Sequence, residues 1–476
     1  MKVLKNYLWN IGYQVFILLV PLITVPYINR VLGPTGVGAS AFTNSVVQYF
    51  ILLGSLGINL YGSRGTAYVR DDPDKLSRYF WELAILRFVF IGISTAVYLI
   101  FIWQSSKYRL FYLGQGIALI GTALDISWFF QGLENFKVTV LRSTFVKIVS
   151  VVLIFALVRN SGDTLLYICI LAGSQFLGNL TFWPYLKKYV HHLPKLSQLD
   201  FRQHIMPSIA MLIPQLAIQI YVQLNKTMLG FLVNVTASGF YDNSDKIVKM
   251  LLAVVTATGT VMLPHVANNF ANGHHDAVKR SLITTMHLIL VIAFPLAFGI
   301  SAVSTTFTYY FFSAKFMPVA NLMAVEAIVV IPIAIGNAIG VQYLLPTNRM
   351  KDYTTSVILG SVVNIILNIP LILMWHTMGA IVSTVIAESV VTAYQIFTVR
   401  KDISIKSLFA EVWKYFAAGL LMFICVKLVD IMLGRSILTL VADVAVGIIV
   451  YAGTLLLLRP RIVLGFVTSF IKQRRG

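Results

Sequence analysis

From Tyr221 to Lys249 the chain reads YVQLNKTMLGFLVNVTASGFYDNSDKIVK, with Lys226, Asp242, Asp245, Lys246 and Lys249 set between long apolar runs. An ionisable group at the centre of a bilayer costs roughly 2.5–3.5 kcal/mol even on the lenient insertion scale. Such groups face a bundle interior or a watery cavity and mark the path of a substrate or an ion. The plainer alternative is a charged loop between short, shifted helices. Lys226, with apolar sequence on both sides, favours the cavity. Asp242 fits either reading.

The elements that must hold these groups can be read from composition. The 476 residues are 58% hydrophobic and 12% charged, with mean hydropathy +0.81. A spanning helix takes about 20 apolar residues, so fourteen would take about 280. The chain offers about 276 hydrophobic residues, so nearly all of it can be membrane. The expected class is an all-α polytopic membrane protein. Hydropathy sets spans at roughly 7–29, 40–62, 80–103, 110–133, 141–159 and 164–186. Eight more fall at roughly 207–232, 241–268, 281–306, 319–345, 354–375, 379–400, 412–433 and 437–458.

A net charge of +19 invites a nucleic-acid reading, but its distribution is that of a membrane topology. Of the 37 Lys and Arg, 25 fall on the side shared by the N-terminus and every second loop, from Lys2 and Lys5 to Arg474 and Arg475. Seven fall on the other side: Arg30, Lys107, Arg109, Arg159, Lys315, Lys427 and Arg435. The remaining Arg87, Lys147, Lys226, Lys246 and Lys249 lie inside spans. The positive-inside rule puts both termini in the cytoplasm and requires an even number of spans. No nucleic-acid partner is expected.

Lys2 and Lys5 precede an apolar stretch too long for a signal-peptide core, with no small-residue cleavage site, so the first helix is expected to remain as an anchor. Cys169 and Cys425 both fall in spans and read as small packing residues. His191-His192 and His274-His275 sit in cytoplasmic loops without Cys or Glu at metal spacing and read as surface residues. No metal or cofactor is expected beyond a coupling H+ or Na+.

Lys187 to His204, KKYVHHLPKLSQLDFRQH, is polar and separates six spans from eight. A weak repeat relates the two sides. Leu32-Gly33 corresponds to Leu229-Gly230, and Phe42-Thr-Asn-Ser45 to Tyr241-Asp-Asn-Ser244. The expected organisation is an N-terminal half at 1–186, a cytoplasmic linker at 187–206, a C-terminal half at 207–400, and a last helix pair with a basic tail at 401–476. Two pseudo-symmetric six-helix halves around a central cavity suit a transporter working by alternating access. Pro21, Pro26, Pro214, Pro264, Pro295, Pro332 and Pro370 lie within spans. They suit movable helices, although proline is also ordinary in membrane helices.

The stretches Pro26-YINRVLGPTGVG and YGSR, ending at Arg64, resemble the opening of bacterial polysaccharide repeat-unit flippases. These belong to the multidrug/oligosaccharidyl-lipid/polysaccharide exporter superfamily. Asp125-ISWFFQGLE, ending at Glu134 and continuing NFK, is similar to the fourth-span signature of that family. Asn225-KTMLG and Tyr241-DNSDKIVK resemble its seventh-to-eighth-span signature, and Gly259-TVMLP is similar to the family's next segment along the chain. The likeness covers essentially the whole chain. Asn225 departs from it, because an aspartate is common there, so an ion site assigned to that carboxylate is in doubt.

The resemblance implies a flippase that moves undecaprenyl-diphosphate-linked oligosaccharide from the inner to the outer leaflet of the bacterial cell membrane. Capsule, O-antigen or exopolysaccharide assembly would use it. The expected partners are the lipid-linked oligosaccharide, membrane lipids and other surface-polysaccharide assembly proteins. Arg and Lys pair with a diphosphate through charge-assisted hydrogen bonds. Arg30, Arg64, Arg87, Lys147, Lys226, Lys246 and Lys249 are therefore the candidates for a cationic cavity. Arg30 and Arg64 could equally snorkel to headgroups, and Arg87 and Lys147 could pair with Asp125 or another buried acid. Asp125, Asp242, Asp245, Glu326 and Glu388 are candidates for ion coupling, or for structural ion pairs with the same lysines.

The last two spans carry Lys427, Asp430 and Asp443 and read either as a groove for a polyprenyl tail or as extra packing surface. Lys472 to Arg475 would contact anionic headgroups. A peptidoglycan-precursor flippase and a multidrug antiporter of the same superfamily stay open. A membrane polymerase or ligase fits less well, since the longest outward loop is only about a dozen residues. No phosphate-binding loop or nucleophile elbow is found. A transporter, and not an enzyme, is the expected class.

Overall fold

In lipid every backbone N–H and C=O must be paired within the protein, which leaves helices as the natural solution for so apolar a chain. The computed structural model describes residues 2–190, 194–260, 263–461 and 465. Among these the secondary structure is entirely helical, without a strand. Val261-Met262 of the Gly259-TVMLP stretch, His191-His192 and the Lys472–Arg475 tail lie outside the described residues.

Packing divides the chain into two compact units, Met1–Gly239 and Phe240–Gly476. The first begins with α1 (Lys2–Ser55), α2 (Ile58–Val69), α3 (Pro73–Gln104) and α4 (Arg109–Ala123). It continues through α5 (Ser127–Gly132), α6 (Phe136–Leu157), α7 (Thr164–Leu180), α8 (Trp183–Leu186) and α9 (Arg202–Leu232). Helix α10 (Val235–Thr260) starts in this unit and runs into the second. Next come α11 (Leu263–Ala271), α12 (His275–Phe311), α13 (Pro318–Glu326), α14 (Val330–Gly336) and a π-helix at Asn337–Leu344. Helices α15 (Met350–Val399), α16 (Ile405–Leu408), α17 (Val412–Leu433) and α18 (Ile437–Leu458) complete the second unit.

Nine helical segments among the described residues are long and apolar enough to cross a membrane, so this is a multi-pass membrane protein. Fourteen crossings stays an expectation, but two of the nine are long enough to cross twice. Helix α1 has 54 residues, about 80 Å at 1.5 Å per residue, against a hydrocarbon core of about 30 Å. Pro21 and Pro26 lie inside it without breaking it; the bend is at Gly33, φ 69°. Gly33 precedes Pro34, whose ring pushes the preceding residue out of helical geometry, and glycine takes the positive φ without a Cβ penalty. In α15 the bend is not at Pro370 but at His376, φ 51°.

Small residues allow the closest helix contacts, as membrane packing requires. In the first unit Gly38 of α1 lies against the first turn of α10. A Cβ there would meet the Val235 carbonyl oxygen at 2.0 Å, and one on Gly239 would meet the Gly38 Cα at 2.7 Å. Asn234 caps α10, its Oδ1 accepting from the Ala237 N–H at 2.9 Å. The two family-like stretches of the first unit also lean on each other. A Cβ on Gly62 would meet the Trp128 ring at 2.6 Å, and one on Gly132 would meet the Ser63 carbonyl at 2.5 Å. Trp128, Phe129 and Phe130 are wholly buried beside Phe80 and Phe182.

The second unit is built around α12, whose Met286, Ile289, Leu290 and Ala293 are fully buried against α14 and the π-helix. The extra residue of the π-turn puts Asn337 and Gln342, five apart, in register, and Gln342 donates to Asn337 Oδ1 at 2.9 Å. Arg349 ties the start of α15 to the turn after it, with Asp352 and Asp402 as its carboxylate partners. The outer faces of α17 and α18 leave Met432, Leu438 and Leu457 at least 80% exposed, a surface for lipid. Cys169 and Cys425 are free thiols, partly buried. His274 and His275 are exposed.

Outside the spans, Asp72 caps α3 by accepting the N–H groups of Lys75 and Asp74. The Lys75 backbone N–H in particular holds its carboxyl below the usual range. Because the folded value is the lower one, this contribution is present above the ordinary aspartate range and fades as pH falls through the folded value.

Gly38→Leu should be among the costliest glycine replacements, because the nearest obstacle is backbone and cannot rotate away. A loss of about 1–3 kcal/mol is expected, read as a lower melting temperature of the detergent-purified protein. Gly92, with nothing within 4 Å of its would-be Cβ, should accept alanine with no loss and gain up to about 1 kcal/mol of helix propensity.

Candidate functional site

A charge in a lipid-embedded helix is tolerable only with an answering group close by, and α10 supplies its own. Asp242 and Lys246 are one helical turn apart, as are Asp245 and Lys249, so each pair shares a face. Lys246 Nζ lies 2.5 Å from Asp242 Oδ2, and Lys249 Nζ donates to Asp245 Oδ2 at 2.7 Å. The carboxylates are buried, 5% and 8% exposed, while the lysine side chains remain 41% and 48% exposed. The acids thus point inward and the ammonium groups sit at their outer edge. Between them Ser244, wholly buried, donates its hydroxyl to Glu326 at the end of α13. Four sequence-predicted residues of α10 and Glu326 therefore form one charged patch in the second unit.

The first unit treats its candidates differently. Arg87 of α3 is 1% exposed and spends its guanidinium on three acceptors. Nε donates to the Thr122 carbonyl at 2.9 Å, one terminal nitrogen to Asn59 Oδ1 at 2.8 Å, and the other to Asp125 Oδ2 at 3.3 Å. Asp125 also accepts the Ser127 N–H at the start of α5, at 3.0 Å. This is the ion pair that sequence offered as the alternative to a substrate contact. It locks α2, α3 and the α4–α5 turn together.

Arg64 is exposed on α2, where its Nε donates to the Tyr68 hydroxyl at 3.1 Å. It lines a cavity of about 700 Å³ with Lys75, Arg78, Glu82 and His204. In the wall of that cavity Glu82, 2% exposed, accepts from Arg78 Nε at 2.9 Å and lies 2.7 Å from His204 Nε2. His204 Nδ1 is 2.9 Å from the Tyr61 hydroxyl. Sequence reading gave Glu82 and His204 no role. A glutamate within the apolar run YFWELAILRF was the available signal, but its partner lies 122 residues away.

The other candidates are dispersed. Arg30 is exposed on α1 and Lys147 on α6; Lys226 is half-buried on α9 and Glu388 half-buried on α15. Asn225, where the flippase-like pattern has an acid, is 2% exposed. Beside Lys226, the Thr227 hydroxyl donates to Ser45 Oγ of α1 at 2.8 Å. Helix α9 is thereby fastened to α1.

A sequence profile described as polysaccharide biosynthesis protein matches residues 3–270. Among relatives, the chain is 24% identical over 400 residues to a protein of Escherichia coli K12 named "Putative O-antigen transporter", covering 81% of this chain and 93% of that one. It is 26% identical over 194 residues to the lipid II flippase MurJ of Bacillus subtilis 168, covering 40% of this chain and 36% of the relative. Among solved structures, MurJ in an inward closed conformation superposes with a TM-score of 0.76 at 14% identity, covering 94% and 98% of the two chains. Helix order and packing are thus shared at an identity too low to carry residue roles across.

Arg87→Ala should cost about 3–5 kcal/mol, the usual penalty for stranding one partner of a buried pair, and thermal unfolding of the purified protein would register it. Adding Asp125→Asn to that variant should recover part of the loss, since the stranded charge goes with it.

Proposed function

Because the chain belongs to the polysaccharide biosynthesis protein family, we propose that it is a flippase for undecaprenyl-diphosphate-linked oligosaccharide repeat units. It carries them from the inner to the outer leaflet of the bacterial cell membrane, by alternating access, for assembly of capsule, O-antigen or exopolysaccharide. In this reading both termini are cytoplasmic, which the distribution of basic residues supports together with an even number of crossings, and hydropathy puts that number at fourteen. The observation that carries the reading is the family match, extended by the transporter relative that aligns with 81% of the chain.

The geometry supports an anionic cargo. Lys246 and Lys249 are held at the rim of a polar patch by acids behind them, so each can swing toward a phosphate at little packing cost. Arg64, Lys75 and Arg78 give a basic cavity on the side assigned to the cytoplasm, where the cargo arrives. Arg87 is excluded from that task by its three internal acceptors. In the second unit a cavity of about 430 Å³, walled by Leu296, Ile300, Val444 and Ile448, supports the reading of α17 and α18 as a path for the polyprenyl tail. A peptidoglycan-precursor lipid is the second reading, supported by the MurJ relative. Both cargoes share the lipid diphosphate and differ in the glycan.

The test is translocation of a fluorescent undecaprenyl-diphosphate oligosaccharide by the purified protein in liposomes, beside a lipid II analogue. Lys226→Ala and Lys246→Ala should each slow transport about tenfold or more, the value of one charge-assisted hydrogen bond. Rates unchanged in both variants would remove these lysines from the site. Transport of lipid II alone would favour the second reading.

A further inference from the structure

The hairpin of α17 and α18 holds a carboxylate to which none of the described residues donates a hydrogen bond. Asp443, on α18, is 1% exposed, and among the described residues neither of its carboxylate oxygens has a hydrogen-bond partner. Its surroundings explain why. From α17, Lys427 and Asp430 face this region, and from α12, Thr306. Asp430 takes both available donors, accepting the Thr306 hydroxyl on one oxygen and Lys427 Nζ, at 3.4 Å, on the other. Lys427 is further committed to the Ala302 carbonyl at 3.2 Å. From α18 itself the nearest phenol on this wall, Tyr451, donates to the Val291 carbonyl at 2.8 Å. Helix α10 contributes only Leu251.

The other side of Asp443 is the 430 Å³ apolar cavity, in whose described lining it is the sole acid and where no base appears. Two carboxylates therefore share one lysine in an apolar setting. A bare buried carboxylate costs far more than taking up a proton, and of two acids that share a site one stays neutral. Asp430 holds the lysine and the hydroxyl, so Asp443 is the member of the pair left to take up a proton.

We propose that Asp443 is a proton-binding site in the C-terminal helix pair. Its carboxyl is carried protonated while it faces the apolar cavity. When that face is wetted, the O–H bond breaks, the proton passes to water, and the carboxylate left behind is balanced by Lys427. The binding stands on the local geometry alone. Its use to drive transport rests on the flippase reading.

Infrared difference spectroscopy on the purified full-length protein tests the binding without any transport assay. Wild type minus Asp443→Asn in mildly acidic buffer, about pH 5, should show a protonated-carboxyl C=O band that shifts on H/D exchange and disappears in alkaline buffer. Asp443→Asn should melt where wild type does, since an amide replaces a neutral carboxyl of the same shape. Asp443→Glu should retain the band. A carboxylate band in its place in that acidic buffer, or a large loss of stability there in Asp443→Asn, would overturn the proposal in favour of an ion pair with Lys427. In proteoliposomes, wild-type transport should respond to an imposed pH gradient and Asp443→Asn should respond at least tenfold less. The infrared band with transport indifferent to the gradient would keep the proton site and reject its coupling. No transport at all would reject the flippase reading and leave the site standing.

Discussion

A charge carried into a lipid-embedded helix must find its counter-group within the protein, because hydrocarbon offers neither water nor ions to stand in. The ways this chain meets that demand decide what each charged residue can do. Arg87 is enclosed, and its three acceptors come from α2 and from the corner between α4 and α5. That arrangement holds helices in place, and at 1% exposure it turns the guanidinium away from any ligand. Asp242 and Asp245 are answered from their own helix, one turn away, by lysines with half-exposed side chains. Within each pair both members belong to one element. The pair's strength is local and its outer partner can move.

Helix contact without a strong hydrophobic drive needs close backbone approach, and the recognisable motifs of the first unit serve that need. Gly62 and Gly132 let YGSR and WFFQG cross, with Trp128 laid over the first glycine. Gly38, in the glycine-rich stretch after Pro34, admits the first turn of α10. These stretches are the parts of the sequence that look most like a signature, yet most of their residues pack instead of reacting. Arg64 is the member that reaches a cavity.

Hydropathy made the helices themselves legible. The expected spans 412–433 and 437–458 coincide with Val412–Leu433 and Ile437–Leu458, because a run of apolar residues with no partner preference can be little else. The bends were not legible from proline. Pro21, Pro26, Pro295 and Pro370 all sit inside continuous helix, while Gly33 and His376 carry the breaks. Neighbouring helices can satisfy the carbonyl that a proline frees, so the residue type alone does not say where a helix turns. Pairings along one helix can be read from spacing. Pairings between helices, such as Ser244 with Glu326 or Glu82 with His204, depend on packing that no local pattern records.

The α10 pairs also link the two roles that sequence reading offered as alternatives. A diphosphate that draws Lys246 or Lys249 outward takes the counter-charge from a carboxylate that is itself buried. Asp242 or Asp245 then requires something in its place, and a proton or a small cation is what fits beside a buried acid. Anion binding at the rim and cation binding behind it would therefore favour each other, with the same coupling free energy whichever comes first. Glu326, held by Ser244 in the same patch, adds a third acid within reach of that exchange. Substrate site and ion site need not be separate places in this protein, because one helical turn separates the group that would meet the phosphate from the group that would feel its departure.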